Sequence, residues 1–267
     1  MKYTVILAAL LVLSSCCQQK TVEQEIEITE NQNEYNLQAV LYQQRAAENK
    51  ALYYQAYNTA KLQLDVVLNS KRIEGKPLAI ITDIDETVLD NSAYNAQLIL
   101  DNTGYSKESW NAWCRLQKAT PLPGASEFLN YAASKNVQVF YITNRSEVVQ
   151  DATLENLKKF DLPFADANHI QCKTNSSTKE PRRLKIHEEY DVIMYLGDNL
   201  SDFAQVFEGD KRDLAADEFN ASFGTQFIVF PNPMYGDWES KQIFEGANMG
   251  AEPMVKDSIR KAKLLGY

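Results

Sequence analysis

The chain has few of the residues on which several hydrolase classes depend. Only two of its 267 residues are histidine, His169 and His187, and neither lies in an Arg-His-Gly sequence. This scarcity argues against a histidine phosphatase and against a histidine-rich two-metal site. A Gly-x-Ser-x-Gly segment is also missing, which argues against a Ser-His-Asp hydrolase that uses this nucleophile turn.

Cysteine is scarce as well. Cys16 and Cys17 fall near the N-terminus, which leaves Cys114 and Cys172 in the rest of the chain. A cysteine phosphatase needs an arginine six residues after the nucleophile, and threonine occupies that position after both cysteines. We therefore exclude that class and expect two buried or structural thiols. An exported protein could instead keep them as a disulfide, and the sequence leaves both arrangements open.

Positive charge is in deficit. Lys and Arg number 27 against 36 Asp and Glu, so the formal net charge is −9 at pH 7. Nucleic acid polymers are not expected partners, because sequence-independent binding to them needs clustered Lys and Arg. A small anionic substrate must therefore be captured by local positive groups. The length and the 45% hydrophobic content suit one α/β domain with a substantial core.

The N-terminus has the pattern of an export signal. Lys2 precedes an apolar run from Val5 to Leu13 that is too short to span a bilayer permanently. We predict a signal peptide over residues 1–15. The sequence Leu-Ser-Ser-Cys that ends at Cys16 resembles the bacterial lipobox, so Cys16 is the predicted site of lipid attachment. An ordinary signal peptide that is cleaved nearby is the alternative.

The next segments predict a tether and a helix. Residues 16–35 are rich in Gln, Glu, Asn and Thr, which predicts a flexible tether. From Leu37, apolar residues at near-helical spacing predict one long amphipathic helix that ends at about Asn69. We interpret its apolar stripe as core packing. The globular domain is expected over residues 36–267 and includes this helix.

A short apolar run, Leu78 to Thr82, ends abruptly at the carboxylates Asp83 and Asp85. Such a run is typical of a buried parallel strand, and ligands bind beyond the carboxyl ends of these strands. Two carboxylates about 4 Å apart repel each other by ~1 kcal/mol in water and by ~4 kcal/mol at an effective dielectric near 20. We therefore expect a positive group between them. A solvated loop is the alternative, whereas a calcium-binding EF-hand loop is excluded because valine and tyrosine occupy its glycine and glutamate positions.

Polar residues also follow the later strands. Further strands are predicted at residues 137–142, 169–172, 192–196 and 227–230. Thr143 and Asn144 follow the first of these and could hold phosphoryl oxygens, although Thr143 could equally cap a helix. Asp198 and Asp202 are one helical turn apart, so both face one point if a helix begins there. The alternation of strands and helices predicts a parallel α/β sheet.

Aromatic residues gather in two segments near these strand ends. Residues 91–122 lack strand periodicity and contain Trp110 and Trp113, which predicts a cap over the carboxylates. Tyr235 and Trp238 follow the last strand. Such side chains are more often core residues than ligand contacts, but they are candidates for stacking on a substrate ring. Lys179 is a candidate phosphate ligand, although a lone lysine is usually a solvated surface charge.

Taken in order, these residues resemble a known set. Asp83-Ile-Asp-Glu-Thr, Thr143, Lys179 and Gly197-Asp-Asn-Leu-Ser-Asp resemble the four motifs of haloacid dehalogenase (HAD) superfamily phosphohydrolases. The longer strings that begin at Asp83 and Gly197 resemble those of class C bacterial acid phosphatases, which are frequently lipoproteins. The resemblance extends from about Tyr35 to the C-terminus. It implies a HAD-like, Rossmann-like parallel sheet flanked by helices, with a small helical cap.

The resemblance also implies roles for the motif residues. Asp83 would attack phosphorus and carry an aspartyl-phosphate, while Asp85 would act as general acid and then as general base. Thr143 and Lys179 would hold the phosphoryl oxygens. Mg²⁺ is the implied cofactor, with the carboxylate of Asp83, the backbone carbonyl of Asp85, Asp198 and Asp202 as its ligands.

The predicted function is Mg²⁺-dependent hydrolysis of phosphomonoesters, in particular nucleoside 5′-monophosphates, by a 5′-nucleotidase-like acid phosphatase. The predicted substrate contacts are Asn144, Trp110, Trp113, Tyr235 and Trp238. We expect an exported lipoprotein that its lipid anchors to a bacterial membrane, in particular the outer membrane, and the resemblance allows a homodimer. The competing hypothesis is a catalytically silent binding or adhesion lipoprotein with the same fold.

Overall fold

The computed structural model describes residues 34–70, 75–245 and 250–267. The predicted signal peptide, the lipid attachment site at Cys16 and the tether up to residue 33 lie outside these ranges. In the described part of the chain, no helix combines the length and the apolar character needed to cross a membrane.

Strands and helices alternate through most of the chain. The described strands are β1 (Leu78–Thr82), β2 (Leu89–Asp90), β3 (Thr120–Pro121), β4 (Gln138–Ser146), β5 (Ile170–Lys173), β6 (Asp191–Gly197) and β7 (Phe227–Val229). The described α-helices are α1 (Leu37–Arg45), α2 (Ala47–Asn69), α3 (Ser92–Leu100), α4 (Lys107–Leu116), α5 (Ala125–Ser134), α6 (Gln150–Lys158), α7 (Glu180–Glu189), α8 (Arg212–Glu218) and α9 (Pro253–Ala262).

The main sheet is parallel, with the strand order β5-β4-β1-β6-β7. The predicted parallel α/β sheet flanked by helices is therefore confirmed. Thr82 at the end of β1 pairs with Tyr141 of β4 on one side and with Leu196 of β6 on the other. Because these three strands are neighbours and nearly level, the residues that follow them meet at one edge of the sheet.

Both faces of the central strand are covered. Ile80 packs with Tyr57 of α2 in one buried cluster, and Ile81 packs with Phe203 and Phe207 in another. Successive side chains of a strand point to opposite faces, so an unbroken apolar run is what a strand needs when helices cover both sides.

The N-terminal helix differs from the prediction. It ends at Asn69 as expected, but it is interrupted at Ala46, whose φ of −75° and ψ of 124° are extended. α2 follows the sheet, whereas α1 packs against α3, with Val40 and Ile99 in contact in a small apolar cluster. A single straight helix could not reach both surfaces. The prediction of one uninterrupted helix is therefore wrong.

The small cap is helical, as expected. It contains α3 and α4, and the short antiparallel ribbon of β2 and β3 closes its base, with Leu89 opposite Pro121. Ser106 caps α4, since its Oγ accepts a hydrogen bond of 3.0 Å from the backbone N–H of Ser109.

Candidate active site

A cavity of about 880 Å³ opens at the edge where β1, β4 and β6 end. Residues from the ends of these strands and from the start of α7 contribute to its wall: Asp83, Asp85, Asn144, Lys179, Asp198 and Asp202. The cap contributes Trp110, and the segment after β7 contributes Tyr235. Residues far apart in the sequence thus form one concave polar site.

Three carboxylates cluster at the floor of this cavity. Asp83, Asp198 and Asp202 each place one oxygen within 4.8 Å of the others. Asp202 closes a short 3₁₀ turn, Leu200–Asp202, and not an α-helix. A Cβ atom on Gly197 would lie only 2.5 Å from Cβ of Asp202, so the turn can fold back over β6 only because glycine is there.

Lys179 lies inside this carboxylate cluster. It immediately precedes α7 and is buried, and its ammonium contacts Oδ1 of Asp83 and, at 2.6 Å, Oδ1 of Asp202. Burial acts to lower the pKa of Lys179, but the carboxylates of Asp202 and Asp83 outweigh it, so the pKa is raised. The lysine therefore stays charged.

A second cation pairs with Asp85. Arg145, which is only 1% exposed, donates from Nε to Oδ1 of Asp85 at 2.8 Å, and its Nη2 lies 2.7 Å from the same oxygen. Burial acts to lower the pKa of Arg145, but Asp85 outweighs this effect and the pKa is raised. We expected one positive group between Asp83 and Asp85. The structure instead provides a separate cation for each carboxylate.

Comparison with known proteins identifies the family. The model of the HAD superfamily, subfamily IIIB (acid phosphatase), matches residues 1–238. The chain belongs to this family of acid phosphatases. The class C acid phosphatase from Bacillus anthracis with tungstate bound is 40% identical, with a TM-score of 0.82 over 87% of this chain and 98% of that one. A second structure of the class C acid phosphatase from Bacillus anthracis is 39% identical, with a TM-score of 0.82 over 89% and 99%.

The predicted family and enzyme class are thereby confirmed. The protein is an acid phosphatase, a phosphomonoester hydrolase, and its substrate is a small phosphate-bearing molecule. Its fold is that of HAD acid phosphatases, with the small helical cap described above. The hypothesis of a catalytically silent lipoprotein is set aside.

Two carboxyl groups of this acid phosphatase, those of Asp83 and Asp198, have raised pKa values. Burial raises the pKa of Asp83 to about 7, opposed by Lys179 and reinforced by Asp202. Burial, followed by the charges of Asp202 and Asp83, raises the pKa of Asp198 well above its usual range. Carboxylates crowded in this way are difficult to ionise together unless further positive charge is supplied.

The charge balance of the site fits a divalent cation. Asp83, Asp198 and Asp202 would carry three negative charges, and Lys179, the cation that pairs with this cluster among the described residues, supplies one positive charge. Two negative charges remain in excess, on oxygen donors of the kind that hard cations bind. HAD phosphatases generally use a divalent metal, and this acidic cluster is compatible with one.

The two polar residues after β4 are engaged differently. Thr143 is fully buried and does not line the cavity; its Oγ1 accepts the backbone N–H of Arg145 at 3.0 Å. Asn144 does line the cavity, and its Oδ1 accepts from Nη2 of Arg182 at 2.8 Å. Arg182 also donates to the backbone carbonyl of Thr143 at 2.7 Å, so it holds the whole turn.

Of the four aromatic candidates, two reach the cavity. Trp110 and Tyr235 line its wall. Trp113 does not; its indole Nε1 donates to Oδ1 of Asn91 at 2.8 Å. Trp238 also lies off the wall, 40% exposed, and donates to the backbone carbonyl of Asn232 at 3.2 Å. Direct substrate contact therefore has geometric support at Trp110 and Tyr235 only.

Several site residues escaped the sequence analysis. Glu86 is fully buried in a left-handed conformation with φ of 58°, its Oε1 accepts the backbone N–H of Asn91 at 2.8 Å, and its Oε2 contacts the hydroxyl of Tyr235. Burial, followed by the charge of Asp85, raises the pKa of Glu86 well above its usual range. The position of Glu86 inside the first motif could have marked it as a site residue. Its charge alone suggested instead that the side chain is exposed to solvent.

Two further residues hold the loop after β6. Asn232 donates from Nδ2 to Oδ2 of Asp198 at 2.7 Å. Arg183, which is buried, donates from Nη1 to the backbone carbonyls of Ser201 at 2.8 Å and Asp202 at 3.0 Å. Neither residue carries a sequence signal of its own, because the contacts depend on the packing of α7 and of the segment after β7.

Cys114 and Cys172 are both buried and free, as expected for structural thiols. Burial raises the pKa of each thiol to about 11. A thiol with so high a pKa is a poor nucleophile.

Proposed function

We propose that this acid phosphatase hydrolyses phosphomonoesters, nucleoside 5′-monophosphates in particular, through an aspartyl-phosphate on Asp83 with Mg²⁺ as cofactor. The observation that carries the proposal is the cluster of Asp83, Asp198 and Asp202 around Lys179 at the floor of the cavity. It brings together a nucleophile, a cation for the phosphoryl oxygens and the oxygen donors of a metal site.

The reaction proceeds in two displacements. In the first, a carboxylate oxygen of Asp83 bonds to phosphorus while the bond from phosphorus to the ester oxygen breaks, and Asp85 gives its proton to the departing oxygen. In the second, Asp85 takes a proton from water as the water oxygen bonds to phosphorus and the bond from phosphorus to Asp83 breaks. One ester and one water thus become one alcohol and one phosphate, and both carboxyl groups return to their starting states.

Lys179 and Asn144 serve the phosphoryl group in this proposal, whereas Thr143, which does not line the cavity, acts through its hydrogen bond to the backbone of Arg145. The ammonium of Lys179 already contacts Asp83, so it lies beside the atom to which phosphorus would bind. Charge that spreads over the phosphoryl oxygens in the transition state is stabilised by such a fixed cation. The similar enzyme from Bacillus anthracis was solved with tungstate, an oxyanion, which supports an oxyanion site here.

Mg²⁺ would be held by Asp83, Asp198 and Asp202, with the backbone carbonyl of Asp85. When bound, it supplies positive charge that offsets the crowded carboxylates and draws the phosphoryl oxygens towards Asp83. The two excess negative charges of the site support a divalent ion.

The substrate class rests on the cavity wall. Trp110 and Tyr235 offer aromatic faces to a ring attached to the phosphate, and the volume of about 880 Å³ suits a ligand of nucleotide size. Stacking on one aromatic side chain is typically worth ~1–3 kcal/mol. We therefore place the nucleobase against these two side chains.

The location is part of the same proposal. Class C acid phosphatases are typically exported, which supports an exported enzyme that a lipid on Cys16 anchors to a bacterial membrane, the outer membrane in particular. Replacement of Cys16 by serine should abolish incorporation of radiolabelled palmitate and release the enzyme into the soluble fraction. Labelling that persists would contradict lipid attachment at this residue.

The catalytic proposal is tested by phosphate release from adenosine 5′-monophosphate, with and without Mg²⁺. The wild-type protein should release phosphate only with the metal, and Asp83→Asn, which keeps the shape but removes the nucleophile, should lose at least ~10⁴-fold in kcat. Activity of Asp83→Asn near the wild-type level would refute the aspartyl-phosphate. Activity that is unchanged after chelation would refute the metal.

The substrate class is tested separately with Tyr235→Ala. If stacking holds the nucleotide, kcat/KM should fall by about 5- to 150-fold for the nucleotide and much less for a small phosphoester. Trp238→Ala is the matched control, because Trp238 lies off the cavity wall. Equal losses on both substrates would refute the aromatic contact.

A further inference from the structure

We infer that Arg145 and Asn91 are positioning residues that hold Asp85 by one carboxylate oxygen, Oδ1, and so leave Oδ2 to give and take the proton. The inference rests on the proposed role of Asp85 as general acid and base. It adds which atom carries the proton and which side chains fix that choice.

The two oxygens of Asp85 have very different surroundings. Oδ1 accepts from Nε of Arg145 at 2.8 Å and from Nδ2 of Asn91 at 2.9 Å, with Nη2 of Arg145 2.7 Å away. Among the residues that the structure describes, Oδ2 has only a long contact of 3.4 Å, with Oγ1 of Thr143. Two N–H donors and the charged Nη2 of Arg145 crowd Oδ1 and disfavour a proton there, whereas the hydroxyl contact on Oδ2 is weak and easily replaced.

The amide of Asn91 can have only one orientation. Its Oδ1 accepts from Nε1 of Trp113 at 2.8 Å and from Nη2 of Arg145 at 3.1 Å. Indole and guanidinium N–H groups are donors only, so the atom between them must be the oxygen. The amide NH₂ must then face Asp85. The amide of Asn91 is therefore fixed as a hydrogen-bond donor to the carboxylate of Asp85.

Arg145 is equally constrained. Its guanidinium is buried, it also lies 3.4 Å from Oγ1 of Thr153 through Nη1, and its centre lies 5.8 Å from the ring centroid of Trp110. A planar guanidinium held on several sides loses little freedom when its Nε and Nη2 approach one carboxylate oxygen. Oδ1 of Asp85 is thereby held in place as well.

Both positioning residues connect Asp85 to the cap. Trp110 and Trp113 lie on α4; the first packs on Arg145, and the second donates to Asn91. Trp113 therefore has a function that does not require contact with substrate. A change in the position of α4 would therefore alter the position of Asp85, the proposed proton donor, through both tryptophans.

The dependence of kcat/KM on the leaving group distinguishes a residue that positions Asp85 from one that only neutralises its charge. An alkyl phosphate needs a proton on its departing oxygen, whereas p-nitrophenolate departs readily without one. The measurement is kcat/KM for glycerol 2-phosphate and for p-nitrophenyl phosphate in the full-length metal-loaded enzyme. kcat/KM reports the first displacement, in which the leaving group departs.

Arg145→Lys keeps the charge and loses the fork, and Asn91→Ala removes one donor. In each, the loss should be at least ~10-fold greater for glycerol 2-phosphate than for p-nitrophenyl phosphate, since general acid catalysis contributes about 10²- to 10⁴-fold. Trp113→Phe, which removes the N–H that orients Asn91 and keeps a smaller aromatic ring there, should show the same bias at ~2- to 5-fold. If Arg145→Lys does not fold, Asn91→Ala and Trp113→Phe decide.

Two controls separate the possible failures. Arg183→Lys alters another buried arginine, one that binds backbone carbonyls after β6, so its loss should be the same for both substrates. Asp85→Asn should show the largest leaving-group bias. Equal losses on both substrates in Arg145→Lys and Asn91→Ala, with a bias in Asp85→Asn, would overturn the inference alone. No bias in Asp85→Asn would overturn the proposed role of Asp85 itself.

Discussion

Asp83 and Asp85 are two residues apart, yet they belong to opposite halves of the site. Asp83 shares its half with Asp198, Asp202 and a single ammonium, whereas the partners of Asp85 are a guanidinium and an amide. One half has more negative charge than it can neutralise. The other is balanced and held by directed hydrogen bonds.

This difference explains how the loop after β1 can supply one carboxylate for metal binding and another for proton transfer. An excess of buried negative charge attracts a metal ion and holds the ammonium of Lys179, but it would fix no carboxylate in place. Directed hydrogen bonds to Oδ1 orient the carboxylate of Asp85 for proton transfer through its other oxygen, and Arg145 offsets its charge. The backbone N–H of Asp83 donates to the carbonyl of Leu196 in β6, whereas the side chain of Asp85 accepts from Arg145 in β4, so the two residues reach different partners.

The largest expected effect concerns the metal. Asp198→Asn should lower kcat by at least ~10³-fold and should also abolish the rise in Tm that Mg²⁺ gives to the wild-type protein, because the carboxylate cluster loses a ligand. At 100 times its Kd, the metal should add about 2.7 kcal/mol to the free energy of unfolding.

Asp85→Asn is the matched control for this prediction. It should lower activity but keep the rise in Tm, since its side chain belongs to the other half of the site. A loss of the metal-dependent Tm shift in Asp85→Asn, measured by differential scanning calorimetry, would show that the two halves are not separate.

The next effect concerns the two buried cations. Lys179→Met and Arg145→Met each leave buried carboxylate unpaired, and each should lower the free energy of unfolding by about 3–5 kcal/mol in metal-free buffer. Mg²⁺ should restore much of the stability of Lys179→Met, since the ion can offset the charges that the lysine contacted. It should restore little in Arg145→Met.

Urea denaturation with and without Mg²⁺ checks this contrast. Equal recovery in both variants would mean that a metal ion near Asp83 also neutralises Asp85, and the separation into halves would fail.

The smallest effect concerns Gly197. Gly197→Ala places a Cβ atom 2.5 Å from Cβ of Asp202, so it should cost about 1–3 kcal/mol and weaken Mg²⁺ binding by displacing Asp202. Gly209→Ala is the control, because a Cβ there has no atom within 4 Å. Isothermal titration with Mg²⁺ should give a higher Kd in the first variant only; unchanged binding would show that Asp202 does not depend on this close approach.

Local patterns predicted most of the fold. The five strands of the main sheet lie where the apolar runs place them. The interruption at Ala46 was not predicted, because the apolar spacing continues across it. There the side-chain amide of Asn49 donates to the backbone carbonyl of Gln43 at 3.3 Å and to its Oε1 at 3.1 Å. Such a buried polar bridge has no periodicity to detect.

The site was predictable in part for the same reason. Asp83, Asp85, Asp198, Asp202 and Lys179 follow strands or precede a helix, and the structure brings all of them to one cavity. Arg145 and Asn91 were missed as partners of Asp85. A polar residue after a strand looks the same in sequence whether it is solvated or buried against a carboxylate, and only burial separates the two.

The sequence by itself determined that acidic and polar residues end the strands of a parallel sheet, because apolar runs and the alternation of strands with helices are local properties of the chain. Only the tertiary structure decided which cation faces which carboxylate. Lys179 meets Asp83 across 96 positions and Arg145 meets Asp85 across 60. Those pairings depend on β1 lying between β4 and β6, and the interactions that build this order are spread over the whole sheet.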